Sequence, residues 1–275
     1  MLVDLGDWQN PVLTSGEDYF AQHLARVPAF RALIRGLENQ LFSQEALQAP
    51  VLDVGCGDGH FAAVAFPGGI DVGIDLTWEI VAEGRAHGRY GHVEVADGTR
   101  LPYPSAAFRT VVSNCVIEHI PDIEGLIGEV ARVLVPGGRF LFSVPNDSFT
   151  GALFTASNLE RLGLHRQAES FGRWWNRRAA HYHLEPTVVW QARLARHGLL
   201  VDRHVSYMSQ EATRAFELAH YYSVPSLAWH RVTGQWSLRP QDVKHSLAFR
   251  WLRRYAAEPE PVWGTNTFFV SHKAS

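Results

Sequence analysis

Apolar residues recur along the chain at two spacings, and the alternation between them predicts the elements. From Ser15 to Phe42, Phe20, Leu24, Val27, Phe30, Leu33, Ile34, Leu37 and Leu41 recur at spacings near three and four, a helical stripe broken by Pro28. Val51-Leu52-Asp53-Val54 reads as a short strand covered on both faces. It runs into a glycine loop, after which Phe61, Val64 and Ala65 carry a helix for which Asp58 suits the N-cap. A second strand spans about 71–74 and ends at Asp75, and a helix covers about 78–86. A third strand, 92–96, ends at Asp97-Gly98. The fourth, Phe108 to Ser113, delivers Asn114, Cys115 and Val116-Ile117-Glu118-His119.

Ile123, Leu126, Ile127, Val130, Val133 and Leu134 hold one face of the next helix, with Pro136-Gly137-Gly138 expected to end it before a fifth strand at 139–144. A further helix has Pro186 at its start and Gly198 past its end. Residues 199–205 alternate as a sixth strand and 265–270 read as a last one. Strands alternating with helices predict one α/β domain, with a Rossmann-like, mostly parallel seven-stranded sheet and helices on both faces. Residues 1–48 would form a helical cap and 49–145 a ligand-binding core. Residues 146–180 and 208–263 are too long for plain loops, and the second is mostly helical by pattern with interruptions at Pro225 and Pro240. Both read as helical lid or substrate insertions.

The loop Gly55-Cys56-Gly57-Asp58-Gly59 sits where open α/β sheets bind ligands, at the carboxyl end of a strand. Its glycines supply positive φ and let a ligand lie against bare backbone. The spacing is G-x-G-x-G, whereas a dinucleotide fingerprint needs G-x-G-x-x-G, and position 60 is His. A pyrophosphate would also face Asp58, so a cationic or zwitterionic nucleoside fits better. Asp75 follows Asp53 by 22 residues, close to the spacing at which a carboxylate accepts from ribose hydroxyls, although it could instead cap the helix after it.

Asp53-x-Gly55-x-Gly57-x-Gly59 resembles the first motif of class I S-adenosylmethionine (SAM)-dependent methyltransferases. Further motifs follow in order: Asp97-Gly98, Leu101-Pro102-Tyr103, Val116-Ile117-Glu118-His119-Ile120-Pro121-Asp122 and Leu134-Val135-Pro136-Gly137-Gly138. Together they resemble the methyltransferase type 11 subfamily over about Val51 to Pro145. The resemblance implies SAM as cofactor and S-adenosylhomocysteine as product. It also implies cofactor contacts from Asp53, Gly55, Cys56, Gly57, Gly59, Asp75, Leu76, Asp97, Gly98, Asn114 and Cys115, with Asp97 accepting from the adenine amino group. N-terminal helices would cover the cofactor, with Tyr19 the residue to watch there, although its type equally suits a core or surface position.

Composition narrows the rest. The chain has 275 residues, 46% of them hydrophobic, and no apolar run long enough to span a membrane. Met1 to Asn10 does not read as a signal peptide, and two cysteines cannot make a disulfide framework, so a cytoplasmic protein is expected. Net charge is −3, but Gly151 to Ala257 carries 15 Arg and Lys against 7 Asp and Glu, a surplus of 8 that leaves −11 elsewhere. Six of the nine Trp share that basic half. It is either a solvated helical surface or a pocket for a small anionic or aromatic acceptor.

Methyl transfer from a sulfonium needs alignment and exclusion of water, plus a base if the acceptor starts protonated. His119 is the first candidate base and His181 the second. His181-x-His183 lacks a Cys or a clear third ligand, so no metal is expected. Cys56 and Cys115 read as packing or backbone-contact residues. Three other readings compete: a nicotinamide-dependent oxidoreductase, an RNA or protein methyltransferase, and a non-catalytic SAM-binding module. The glycine spacing disfavours the first, and a pI near 6.5 without a lysine-rich tail makes a nucleic-acid partner unlikely.

Overall fold

The computed structural model describes residues 16–233 and 240–275; Ser15 and the N-terminal ten residues lie outside that range. Helices α1 (Gly16–Leu24) and α2 (Ala29–Phe42) are separated where Pro28, with φ −56° and no N–H to donate, starts the second. They precede β1 (Val51–Val54), α3 (His60–Ala65), β2 (Ile70–Asp75), α4 (Trp78–Ala86), β3 (Tyr90–Val95) and β4 (Phe108–Asn114). Then come a short 3₁₀ turn (Ile117–His119), α5 (Ile123–Val133) and β5 (Leu134–Pro145). The helical stretch α6 (Phe149–Ala152), α7 (Phe154–Arg161) and α8 (His165–Ala179) leads to α9 (Thr187–Arg196) and β6 (Leu199–Tyr207). Last are α10 (Gln210–Tyr222), α11 (Val224–Thr233), a 3₁₀ segment (Pro240–His245), α12 (Leu247–Ala256) and β7 (Asn266–Lys273).

The strands form the expected seven-stranded sheet, in the order β3-β2-β1-β4-β5-β7-β6. Pairing is parallel through β5, and β7 lies antiparallel between β5 and β6. The order in which successive strands are added reverses between β1 and β4, the switch point at which such sheets hold ligands.

Period-two alternation divides the core. Phe140, Phe142 and Val144 of β5 join Leu52, Val54 and Phe269 on the face covered by α5 and α9. Leu141 points the other way and meets Val51, Phe268 and Val270 under α1, α2, α10 and α12. Phe249 of α12 stacks on Phe20 of α1 at 5.5 Å, which makes the late helix part of the same cover as the first two.

Two local readings change. Gly59, not Asp58, is the N-cap of α3, in the left-handed region at φ 77°; Asp58 instead accepts from the His60 amide at 3.0 Å. The helix before β5 stops at Val133, because Leu134 already pairs with Phe108; the Pro136-Gly137 turn, with Gly137 at φ 73°, sits inside the strand as an irregularity.

Phe142 is fully buried, stacks on Phe140 and on Phe269 at 4.7 Å each, and meets Trp190 of α9. Phe142→Ala is expected to lower the free energy of unfolding by about 3–5 kcal/mol. Urea titration followed by circular dichroism checks this as a lower midpoint at unchanged slope.

Candidate functional site

The glycine loop is held open by its own backbone. Gly55 and Cys56 amides both donate to the Ile74 carbonyl at 2.9 Å, tying the loop across to β2. A Cβ on Gly55, at φ 79°, would lie 2.5 Å from Val116, so only glycine fits there. Gly57, at φ 57°, has nothing within 4 Å of where its Cβ would be. That open space belongs to a cavity of about 270 Å³. Asp53, Gly55, Cys56, Gly57 and Asn114 line it, joined by His23, Arg31 and Arg35 from the helices above. A nucleoside laid on bare backbone needs such a cradle, and an enclosed amine or sulfonium finds Asp53 and Asp58 in its walls.

Asp75 does not cap α4, whose N-cap is Thr77. Its Oδ2 accepts from the Gly57 amide at 2.9 Å and its Oδ1 from the Leu76 amide at 2.7 Å, so it clamps the loop from outside the residues that line the cavity. Leu76 is largely exposed beside it. Asp97 stands at the neighbouring strand end, where Ala96 pairs with the Asp75 carbonyl, and its Oδ1 is engaged by Thr99. Gly59 and Gly98 serve close packing: a Cβ would meet Gly84 at 3.1 Å in the first case and Leu126 at 2.8 Å in the second.

A second cavity, of about 420 Å³, opens on the other side of α2. Arg31 and Arg35 line both cavities, so this helix is their common wall. Cys115, Glu118 and His119 enter from the end of β4, and Phe149, Trp174, Trp175 and Arg178 from α6 and α8. His181, Phe216 and His220 complete the far side. Of the basic stretch, Arg178 reaches this cavity and Arg177 is absent from its lining. Trp190 is instead buried under the sheet's other face. Tyr19, half-buried, lines neither cavity.

The two candidate bases come together. The rings of His119 and His181 stack with centroids 5.2 Å apart. His119 Nδ1 donates to the Ala180 carbonyl at 3.1 Å, which leaves its Nε2 lone pair free. Burial lowers the pKa of both, that of His181 to about 4 with His119 adding to the effect. Beside them burial raises Glu118 to about 8, with Glu38 adding to the rise and a backbone hydrogen bond and Arg35 pulling the other way. His183 turns away and meets the Ile120 carbonyl at 3.1 Å.

Cys115, expected on the cofactor, faces the second cavity, at φ 48°. Its thiol donates to Glu38 at 2.8 Å, and burial holds its pKa well above the usual value. Asn114 donates to Glu38 Oε2 at 2.8 Å and accepts from Ser143 at 2.6 Å. Sequence reading missed Glu38, Arg35 and Tyr90. Arg31, Arg35 and Glu38 sit at helical spacing within an otherwise apolar stripe, and charges placed there were the available signal. Tyr90 gave none: its hydroxyl reaches Asp53 at 2.6 Å across 37 residues.

Residues 52–142 match the family model described as a methyltransferase domain. Over that stretch the chain is similar to class I methyltransferase domains of the type 11 family. A relative from Mycolicibacterium smegmatis, named "Probable S-adenosylmethionine-dependent methyltransferase", is 41% identical over 99 residues, 35% of this chain and 38% of that one. A ubiquinone biosynthesis O-methyltransferase of Vibrio atlanticus is 31% identical over 124 residues, 41% of this chain and 50% of that one. The chain thus spans half or less of the length of these curated relatives. Among solved structures, a SAM-dependent methyltransferase of Thermotoga maritima shares the fold at TM-score 0.53 and 14% identity, over 90% of this chain and 91% of that one. Among the described residues no helix is long and apolar enough to cross a membrane.

Within the matched stretch, Asp53 carries a pH signature. Burial raises its pKa from 3.8 to about 7, against which the Tyr90 hydroxyl and Arg35 pull down, with Asp75 adding to the rise. A carboxyl raised in the folded state stabilises fully below the unfolded pKa and loses that contribution as pH climbs through about 7. The loss is on the order of 4 kcal/mol. Asp53→Asn, which keeps an acceptor for Tyr90, is expected to melt above wild type at pH 8, with the difference shrinking by pH 5. Melting curves at the two pH values check it.

Proposed function

We propose that this protein is a SAM-dependent methyltransferase that transfers the sulfonium methyl to an oxygen or nitrogen of a small or medium-sized metabolite, releasing S-adenosylhomocysteine. The observation that carries this reading is the pair of cavities meeting at Arg31 and Arg35, one floored by the glycine loop and one containing the two histidines. SAM would occupy the first, with Asp75 accepting from its ribose and Asp97 near its adenine. The acceptor would occupy the second, so that nucleophile, methyl and sulfur line up past α2. Its proton leaves at the His119–His181 corner, where the hydrogen bond to Ala180 fixes one imidazole's tautomer.

The walls support a flat or anionic acceptor. Trp174, Trp175, Phe149 and Phe216 offer stacking area, and Arg178 a bidentate partner for carboxylate or phosphate. On this reading the α6–α8 stretch and α10 are the lid that excludes water. α12 instead seals the N-terminal helices, so only part of 208–263 serves the acceptor.

Calorimetry with SAM and S-adenosylhomocysteine is the direct test; absence of binding by both at millimolar concentration removes the reading. Asp75→Ala should weaken SAM binding roughly ten- to a hundredfold, as a carboxylate hydrogen bond worth about 1.5–3 kcal/mol is lost, while the protein stays folded. Arg178→Met should leave SAM affinity unchanged and raise the acceptor KM more than it lowers kcat, which steady-state kinetics reads. Unchanged turnover in that variant would make the basic stretch a solvated surface.

A further inference from the structure

The histidine corner of the larger cavity holds more unspent donors than a proton relay needs. Ligand-capable atoms of Glu118, His119 and His181 all lie within 4.8 Å of one another, the one such group among the described residues. Glu118 is 1% exposed, yet its Oε2 has no hydrogen-bond partner, and His181 Nδ1 is likewise buried without one. Orphaned polar atoms of this kind are costly unless something fills the gap between them. The third donor is prepared as well. His119 gives its Nδ1 proton to the Ala180 carbonyl, the outer hydrogen bond that orients a metal-ligating imidazole, and its free Nε2 stands 3.6 Å from Glu118 Oε1.

We propose that Glu118, His119 and His181 bind one divalent transition-metal ion at the acceptor end of the larger cavity. Two imidazoles and one carboxylate are a donor set for zinc, cobalt, manganese or iron. Cys115 stays outside it, because its thiol donates to Glu38. A tetrahedral ion with bonds of about 2.1 Å needs donors roughly 3.4 Å apart, so the three side chains close by about an ångström on loading. His119, partly exposed on a short 3₁₀ turn, is free to make that adjustment. Arg35 and Arg31 are the cations facing this corner, and Arg35 is matched by Glu38 at 3.1 Å.

Three protein ligands leave a coordination position that opens on the cavity, as in catalytic rather than structural sites. The proposal deepens the methyl-transfer reading and selects a hydroxyl acceptor. Its oxygen takes the open position, its proton is lost to solvent, the new O–C bond forms as the S–CH₃ bond breaks, and an ether and S-adenosylhomocysteine leave. The imidazoles then spend their lone pairs on the ion, which takes over the lowering of the hydroxyl's pKa.

The test is a titration of the untagged full chain, stripped with chelator, by Co²⁺ alone, read by visible d–d absorption. One equivalent should bind with the intensity of a four- or five-coordinate site and be displaced by Zn²⁺. His181→Ala and Glu118→Gln should each lose at least tenfold in Co²⁺ affinity, and His119→Ala serves if Glu118→Gln fails to fold. His165→Ala, at the exposed start of α8, should bind as wild type does. No saturable Co²⁺ binding at 1 mM, or equal affinity and spectrum in the His181→Ala and His119→Ala variants, overturns the site. SAM calorimetry on the same samples separates the two readings. SAM bound without Co²⁺ sinks the metal alone, and Co²⁺ bound without SAM keeps the metal site and sinks the transferase reading.

Discussion

A single buried carboxylate fixes how the helical cover meets the sheet. Glu38 of α2 is fully inaccessible and accepts from four donors: Arg35, Asn114, Cys115 and Tyr207. These come from α2 itself, from the end of β4 and from the end of β6. Removing any partner would leave a charge or a strong acceptor unmatched in a low-dielectric interior, a penalty of several kcal/mol. The network therefore sets one position for α2 along the carboxyl edge. Because α2 divides the two cavities, it also sets the distance between the glycine loop and the histidine corner.

Much of the fold was legible because it rests on short-range chemistry. Val51 to Gly59 announces a strand and a ligand loop within nine residues, and five of the seven strands begin or end within two residues of where alternation puts them at both ends. Local shifts came from competition at element ends. Asp58 suits a cap by type, yet the loop needs positive φ at Gly59, and glycine takes the position. Leu134 looks like the last residue of a helix, but pairing with Phe108 claims it for the sheet.

The candidate site was legible by halves. His119 and His181, the two candidate bases, stack on each other, whereas His183, two residues on, turns away to Ile120. What tied them to Glu118, and Asn114 to Glu38, depends on contacts between residues dozens of positions apart, which no periodicity encodes. The tryptophans show the same limit. Trp174 and Trp175 line the larger cavity while Trp190 fills the opposite core beside Phe142. Composition placed all three in one basic stretch and could not assign their faces.

The antiparallel β7 bears on the order of assembly. Among the described residues β6 is an edge strand paired with β7 alone, and β7 follows α10, α11 and α12 in the chain. A ribosome therefore releases β6 well before anything exists for it to pair with. The parallel half, β3-β2-β1-β4-β5, consists of nearer neighbours and can condense first, whereas Phe268 and Phe269 must wait for the last segment to arrive. Until then β5 presents an open, largely apolar edge. For a polypeptide emerging from one end, β5 is the strand that waits longest for its neighbour, and its exposure time is set by the speed of translation.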